Sequence, residues 1–258
     1  MNDSELEAAI GRATALVDGA TRIAVLTGAG ISTDSGIPDF RGPEGIWTKN
    51  PEAEKASNIR FYVADPEVRK RNWHLRASGG LWPDVAPNLG HKALVHLEAR
   101  CILHTLVTQN VDGLHEMAGT SPERIVEIHG TVRRARCLSC DWVDDIEVVL
   151  ERVRAGEEDP HCDCGGLLKS ATISFGQNLI PGDVERMETA ANECDLLLAV
   201  GTTLTVYPVA QMVPLAARRG APIVIVNGQE TAMDEFGEAV VTGSLSEVLP
   251  PIVGWVGD

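Results

Sequence analysis

The sequence predicts an α/β fold: a doubly wound, mostly parallel, Rossmann-like sheet carrying a small inserted module. Three observations lead there. Four short runs, residues 23–26, 102–107, 196–200 and 223–226, are β-rich or largely apolar rather than strictly alternating, as strands covered on both faces are. Helical patterns lie between and around them, giving the strand–helix alternation of a parallel sheet. Residues 131–168 break that rhythm, hold four of the six cysteines and offer little core-forming material.

Each element has a local reason. Ser4-Glu5-Leu6-Glu7 forms a capping box, and Leu6, Ala9, Ile10, Ala13, Leu16 and Val17 follow at helical spacing, so a first helix ends near Gly19. Asp65 and Pro66 suit the cap and first position of a helix through about Arg76. Further helices are expected over residues 91–100, 181–193 and 209–219. Pro214 should kink the last of these, and Gly220 should end it. A charged helix is expected over residues 145–154. Residues 42–87, rich in charge and aromatics, suggest a helical or loop cap over the sheet edge. The main domain then comprises residues 1–130 and 169–258, interrupted by the insertion at 131–168.

The composition narrows the function. With 258 residues, 44% of them apolar, the chain can bury a sizeable core without disulfides. Twenty-two Lys and Arg against 37 Asp and Glu give a net charge of −15. That argues against nucleic-acid binding, which needs clustered positive charge, and leaves a basic peptide as an attracted partner. The acidic start is no signal peptide, and no run reaches the ~18 apolar residues of a membrane span. A cytoplasmic protein without a membrane partner is expected. Its cysteines should be metal ligands or buried hydrophobes.

The strand ends carry the chemistry. Thr27-Gly28-Ala29-Gly30-Ile31-Ser32 follows the first run, where glycines admit a pyrophosphate to main-chain N–H groups. The match to G-x-G-x-x-G is imperfect, because Thr33 stands at the third glycine. Residues 35–42 add a Gly/Pro loop with Ile37, Asp39, Phe40 and Arg41, a mixture more often functional than scaffolding. Thr108-Gln109-Asn110-Val111-Asp112 ends the second run with donors and acceptors suited to sugar hydroxyls or a carboxamide. An Asx turn and N-cap by Asp112 would explain only one of its polar residues. Glu127-Ile128-His129-Gly130 offers a histidine suited to general-base work, although spacing alone does not choose among seven histidines. Gly201-Thr202-Thr203-Leu204 and Asn227-Gly228 end the last two runs. All these motifs fall on one sheet edge, where a single extended ligand could lie.

Cys137-x2-Cys140 and Cys162-x-Cys164-Gly165-Gly166, in a module poor in core, argue for a closed tetrahedral zinc site, structural rather than catalytic. The second pair is one residue short of the usual spacing, which makes His161 an alternative ligand. Cys101 and Cys194 adjoin core strands and are expected to be buried.

The motifs GAGISTDSGIPDFRG, TQNVDGLH, EIHG, the two cysteine pairs, FGQ, GTTL and VNG occur in the order found in sirtuins, which this sequence resembles over about residues 20–249. The resemblance implies an NAD-dependent protein-lysine deacylase with one structural zinc. NAD would be consumed. Gly28, Ala29, Gly30, Thr33, Asp39, Phe40 and Arg41 would line or close over it. Ile37, Asn110, Val111 and Asp112 would form the nicotinamide pocket, and Gln109 would hold ribose hydroxyls. Gly201, Thr202, Thr203, Asn227, Gly228 and Leu245 would hold the adenosine half. His129 would be the base, with Asn110 and Asp112 the other catalytic residues. An acyl-lysine protein or peptide would lie as an added strand between Ser174-Phe175-Gly176 and Leu204-Thr205-Val206, its lysine amide on the Ile173 backbone. The chain departs from the family at Gln177, where Glu is usual, and in residues 168–171, which lack a common proline. A mono-ADP-ribosyltransferase on the same scaffold is the alternative. A nicotinamide dehydrogenase would have no use for the cysteine module.

Overall fold

The computed structural model describes residues 3–39, 45, 57–79 and 85–257. Phe40 and Arg41, and part of the 42–87 excursion, lie outside the described residues. Helix α1 (Asp3–Gly19) leads into β1 (Ile23–Thr27). A 3₁₀ segment, Ala29–Ser35, then precedes α2 (Ile59–Ala64), α3 (Pro66–Ala77), α4 (Leu89–Ala99), β2 (Leu103–Thr108), α5 (Leu114–Ala118) and β3 (Ile125–Glu127). The insertion follows as β4 (Gly130–Cys137), β5 (Val143–Asp145), α6 (Ile146–Arg154) and β6 (Leu168–Thr172). The chain closes with α7 (Pro181–Glu193), β7 (Leu196–Val200), α8 (Met212–Arg218), β8 (Ile223–Asn227), β9 (Ala239–Thr242) and α9 (Leu245–Ile252).

Six strands pair in the order β3-β2-β1-β7-β8-β9, every ladder parallel. The uniform apolar runs have their explanation in burial on both faces. Ile23 and Val25 of β1 enter one core with α1, α4 and α9, while Ala24 and Leu26 enter the other with α7 and α8. The direction of winding reverses between β1 and β7, which places a crevice at the C-terminal ends of these strands.

The insert is a separate antiparallel sheet, β5-β4-β6, which extends to Gly130 and Thr172 on either side of the expected boundaries. It has a small core of its own, and the cap helix α3 contributes to it. Trp73 is fully buried with Ala135, Cys137, Val149, Leu150 and Leu168. Tyr62 Oη donates to Leu168 O at 2.6 Å, and Arg69 grips Asp159 through Nε and Nη2 at 2.9 and 2.7 Å. Trp73→Ala should therefore cost about 3–5 kcal/mol, the loss of a buried aromatic plus its cavity. Chemical denaturation of the variant measures it. A change below 1 kcal/mol would contradict the packing role.

Two expectations change. Cys101 is exposed, because it turns left-handed just beyond the Arg100 cap of α4 rather than starting β2. Its φ is 60°, its N–H bonds Glu98 O, and Ile102 N–H reaches back to Leu97 O. The kink expected at Pro214 is instead a 3₁₀-to-α change at Gln211/Met212. Pro214 falls in the first turn of α8, where its missing N–H has no acceptor to lose. Gly220 adopts the left-handed conformation expected beyond a helix end, with φ 80°.

Candidate active site

The crevice is built by close backbone contact. Gly28 N–H bonds Val200 O at 3.0 Å, and Gly30 N–H bonds Gly201 O at 2.9 Å. A Cβ on Gly30 would lie 2.9 Å from Gly201 Cα, so both loops need glycine to meet. These glycines serve loop-to-loop packing as well as any phosphate approach. A third glycine is not required at Thr33, because the segment is 3₁₀ and Thr33 Oγ1 bonds Gly30 O. Thr202 Oγ1 accepts from Gln109 Nε2 at 3.0 Å, joining the β2 and β7 ends. Asn227 Nδ2 donates to Gln229 O, shaping the turn at Gly228. Leu245 begins α9 within the core, its Cδ1 beside Gly201.

Behind this crevice lies a polar cradle. Asp112 is buried and raised in pKa by that burial. Its Oδ1 accepts from Leu114 N–H at 2.9 Å, the local turn bond. Its Oδ2 accepts from Ser32 Oγ at 2.8 Å. Asn110 Nδ2 donates to Ser32 Oγ and Gly28 O at 3.1 and 3.2 Å. Ile37 is buried nearby in sequence, with its N–H on Ser32 O. Ser32 therefore joins the β1 loop to the β2 loop through residues far apart in sequence. It stands in the first motif, yet no local pattern assigns it a role.

Two more residues escape sequence reasoning. Asn88 caps α4 and also donates to Ile31 O and Ser35 Oγ, tying down the 3₁₀ segment. His91 is pushed to a pKa of about 4 by burial and lies 4.9 Å, ring to ring, from His115. His115 is wholly buried against Thr27 Oγ1, so it is a packing residue behind the cradle.

His129 follows β3 and is half-buried. Its Nδ1 lies 3.1 Å from Gln109 O, so Nδ1–H donates to that carbonyl and Nε2 retains the lone pair. Burial lowers its pKa, keeping the imidazole neutral near pH 7. Gly130 follows with φ 72°, and a Cβ there would run into Ala171 O. This packing seats His129 against β6, and His129 O accepts from Ile173 N–H at 2.7 Å. The histidine and the segment beyond β6 are thereby fixed together.

The four cysteine Sγ atoms lie within 4.8 Å of one another. Cys137 and Cys164 stand 3.6 Å apart, and Cys140 and Cys162 3.7 Å. Zn–S bonds of ~2.3 Å in a tetrahedron require sulfurs about 3.8 Å apart, so the set fits zinc. The shortened second pair is accommodated by glycine: a Cβ on Gly166 would meet Cys137 Sγ, and Cys162 N–H bonds Gly166 O. His161 turns its Nδ1 to Asp159 O and stands outside the cluster. Four thiolates close the shell, leaving no open position for catalysis.

The Sir2 family model matches residues 28–208, from the first glycine loop through the segment after β7. The chain belongs to the Sir2 family. This sirtuin is 42% identical over 236 residues to NAD-dependent protein deacetylase 2 of Streptomyces coelicolor, covering 91% of this chain and 98% of that one. It is 40% identical to an NAD-dependent protein deacetylase of Sulfolobus acidocaldarius, covering 89% and 88%. Among solved structures, one describing the mechanism and regulation of Sir2 enzymes superposes with a TM-score of 0.85 at 33% identity, covering 96% and 97%. Another, a Sir2 histidine-to-alanine variant with a deacetylated p53 peptide and 3′-O-acetyl ADP ribose, gives 0.84 at 31%, covering 95% and 97%. Among the described residues of the sirtuin, no helix is long and apolar enough to cross a membrane.

Proposed function

We propose that this sirtuin is an NAD-dependent protein deacetylase, which removes acyl groups from protein lysines to give nicotinamide, O-acyl-ADP-ribose and free lysine. The observation that carries the reading is the Ser32–Asn110–Asp112 cradle at the winding reversal, together with a neutral, carbonyl-oriented His129. NAD supplies a ribose that captures the acyl oxygen as nicotinamide leaves. The chain's residues prepare that exchange. Asp112 retains acceptor capacity beyond its two bonds, and with Asn110 it would hold the carboxamide in a buried place. Gln109 fixes the His129 tautomer through its carbonyl. His129 Nε2 would then take the proton from a ribose hydroxyl as it attacks the acyl carbon; the lysine amine leaves with a proton, and one water completes O-acyl-ADP-ribose. Residues 1–130 and 169–258 form the catalytic domain in this reading, 131–168 the zinc module and 42–87 the cap. A reducing cytoplasm, where thiols persist, is its setting.

The peptide enters beside Ile173. Phe175 N–H and C=O already pair with Ser57 O and Ile59 N–H of the cap, so an added strand is confined to the opposite edge. Gln177 holds that loop by accepting Ser174 N–H through Oε1 at 2.8 Å. Acyl-lysine peptides incubated with NAD test the reading. Mass spectrometry should show loss of the acyl mass matched by free nicotinamide. A peptide gaining the mass of ADP-ribose would favour transfer instead.

Simple uncharged acyl groups should be preferred. A charged acyl carboxylate needs a paired cation. The cap has no complete Tyr-x-x-Arg pair, and Tyr62 and Arg76 are engaged with Leu168 O and Asn72 Oδ1. Succinyl-lysine peptide should turn over more slowly than acetyl-lysine peptide. The reverse order would overturn this assignment.

A further inference from the structure

Beyond the peptide loops lies a groove of about 530 Å³. One wall begins at Gln177, next to Ser174-Phe175-Gly176, and the other is Pro208, two residues beyond Val206. These are the two segments between which the substrate strand is placed. The groove therefore starts at residues that follow both segments of the proposed peptide slot. Its lining is largely apolar, through Leu179, Pro181, Val184 and Pro208. Phe175 and Tyr207, close in sequence to Gln177 and Pro208 of that lining, expose further apolar surface. On α7, Glu185 and Glu188 stand one helical turn apart in the lining, both exposed. Among the described residues neither pairs with a lysine or arginine.

A largely apolar trough that also carries two unpaired carboxylates matches a long side chain with an aliphatic stem and a cationic head. The net charge of −15 favours the approach of such a partner. We infer that this groove is a specificity subsite for a lysine or arginine flanking the acyl-lysine of the substrate. The stem lies along Leu179, Val184 and Pro208, and the head meets Glu185 and Glu188. The inference rests on the deacylase reading and adds a substrate class to it.

The test uses acetyl-lysine peptides in which a single arginine is scanned along both flanks of an otherwise alanine-rich sequence. Deacetylation is followed with NAD in excess. At its best position arginine should lower KM by roughly two- to fivefold, the range of one exposed ion pair, with kcat unchanged. Glutamate at that position should raise KM. High salt should shrink the preference, because the carboxylates are exposed. In the double variant Glu185→Gln/Glu188→Gln, the arginine peptide should fall to the KM of the alanine peptide, and the alanine peptide should be unaffected. No arginine preference at any position, or a preference that survives in the double variant, would overturn the subsite while leaving the deacylase reading intact. If no peptide is deacetylated although the protein is folded, the deacylase reading itself fails and the subsite with it.

Discussion

Replacing His129 by alanine is expected to slow deacylation by about 100- to 10,000-fold, the usual cost of losing a general base. Exchange of labelled nicotinamide into NAD should survive better. Departure of nicotinamide depends on the cradle of Asn110, Ser32 and Asp112 and on the acyl oxygen, and it needs no base. Asp112→Asn should damage exchange as well, because an amide cannot accept Leu114 N–H and Ser32 Oγ–H and still serve the carboxamide in the same way. From sequence alone, His115→Ala looks like a mild control. Its burial against Thr27 and His91 makes it a packing variant instead, and exposed His74 is the neutral comparison. The pH profile adds a second signature. Burial lowers the His129 pKa, so its base form persists as pH falls through the ordinary histidine range. The acidic limb of deacylation should lie at lower pH than an unperturbed histidine would give. Equal loss of exchange and deacylation in His129→Ala, or near-normal deacylation, would remove His129 from the role of base.

Losing the metal should be nearly as severe, but through the fold. Purified protein should carry about one zinc per chain, and Cys140→Ala should lose it. The insert has only a small core, centred on Trp73, Val149 and Leu168, so the four thiolates are expected to stabilise it substantially. Metal loss should lower the melting temperature and loosen α3, which shares that core, and α2, whose Tyr62 Oη donates to Leu168 O. Loosening should reach the peptide loop, because Ser57 and Ile59 pair with Phe175. Hydrogen exchange at residues 57–64 and 173–177 reads this directly. Cys101→Ser, at an exposed helix end, should keep its zinc. Wild-type protein that is folded, active and free of zinc would disprove the structural role.

Much of this was legible in the sequence for local reasons. The central strands announce themselves because burial on both faces favours β-branched and apolar runs over strict alternation. β9 is short and mixed, and β4 and β5 carry Gly130-Thr131-Val132-Arg133 and Val143-Asp144-Asp145, so their pairing leaves little periodic signal. The insert is legible through its cysteines, because metal spacing is local, while its sheet is not. Cys101 misleads for a similar reason. A cysteine beside a strand reads as core, and only the backbone turn at its φ of 60° sends it outward.

By itself the sequence determined which side chains the site can use: the glycine loops, the Gln109-Asn110-Val111-Asp112 series, His129 and four thiols. Each is a short-range pattern tied to the end of a strand or to a metal knuckle. The tertiary structure decided how they meet. The reversal of winding sets the β1 loop against the β7 loop, and Ser32 against Asp112, 80 residues away. Hydrogen-bond partners across such separations leave no periodic trace, because a serine has the same letter whether it faces water or a buried carboxylate. The same holds for Glu185 and Glu188, which in sequence are two more acids on a helix. Folding brings them into the lining of a largely apolar groove together with Gln177 and Pro208, and the proposed subsite rests on that placement.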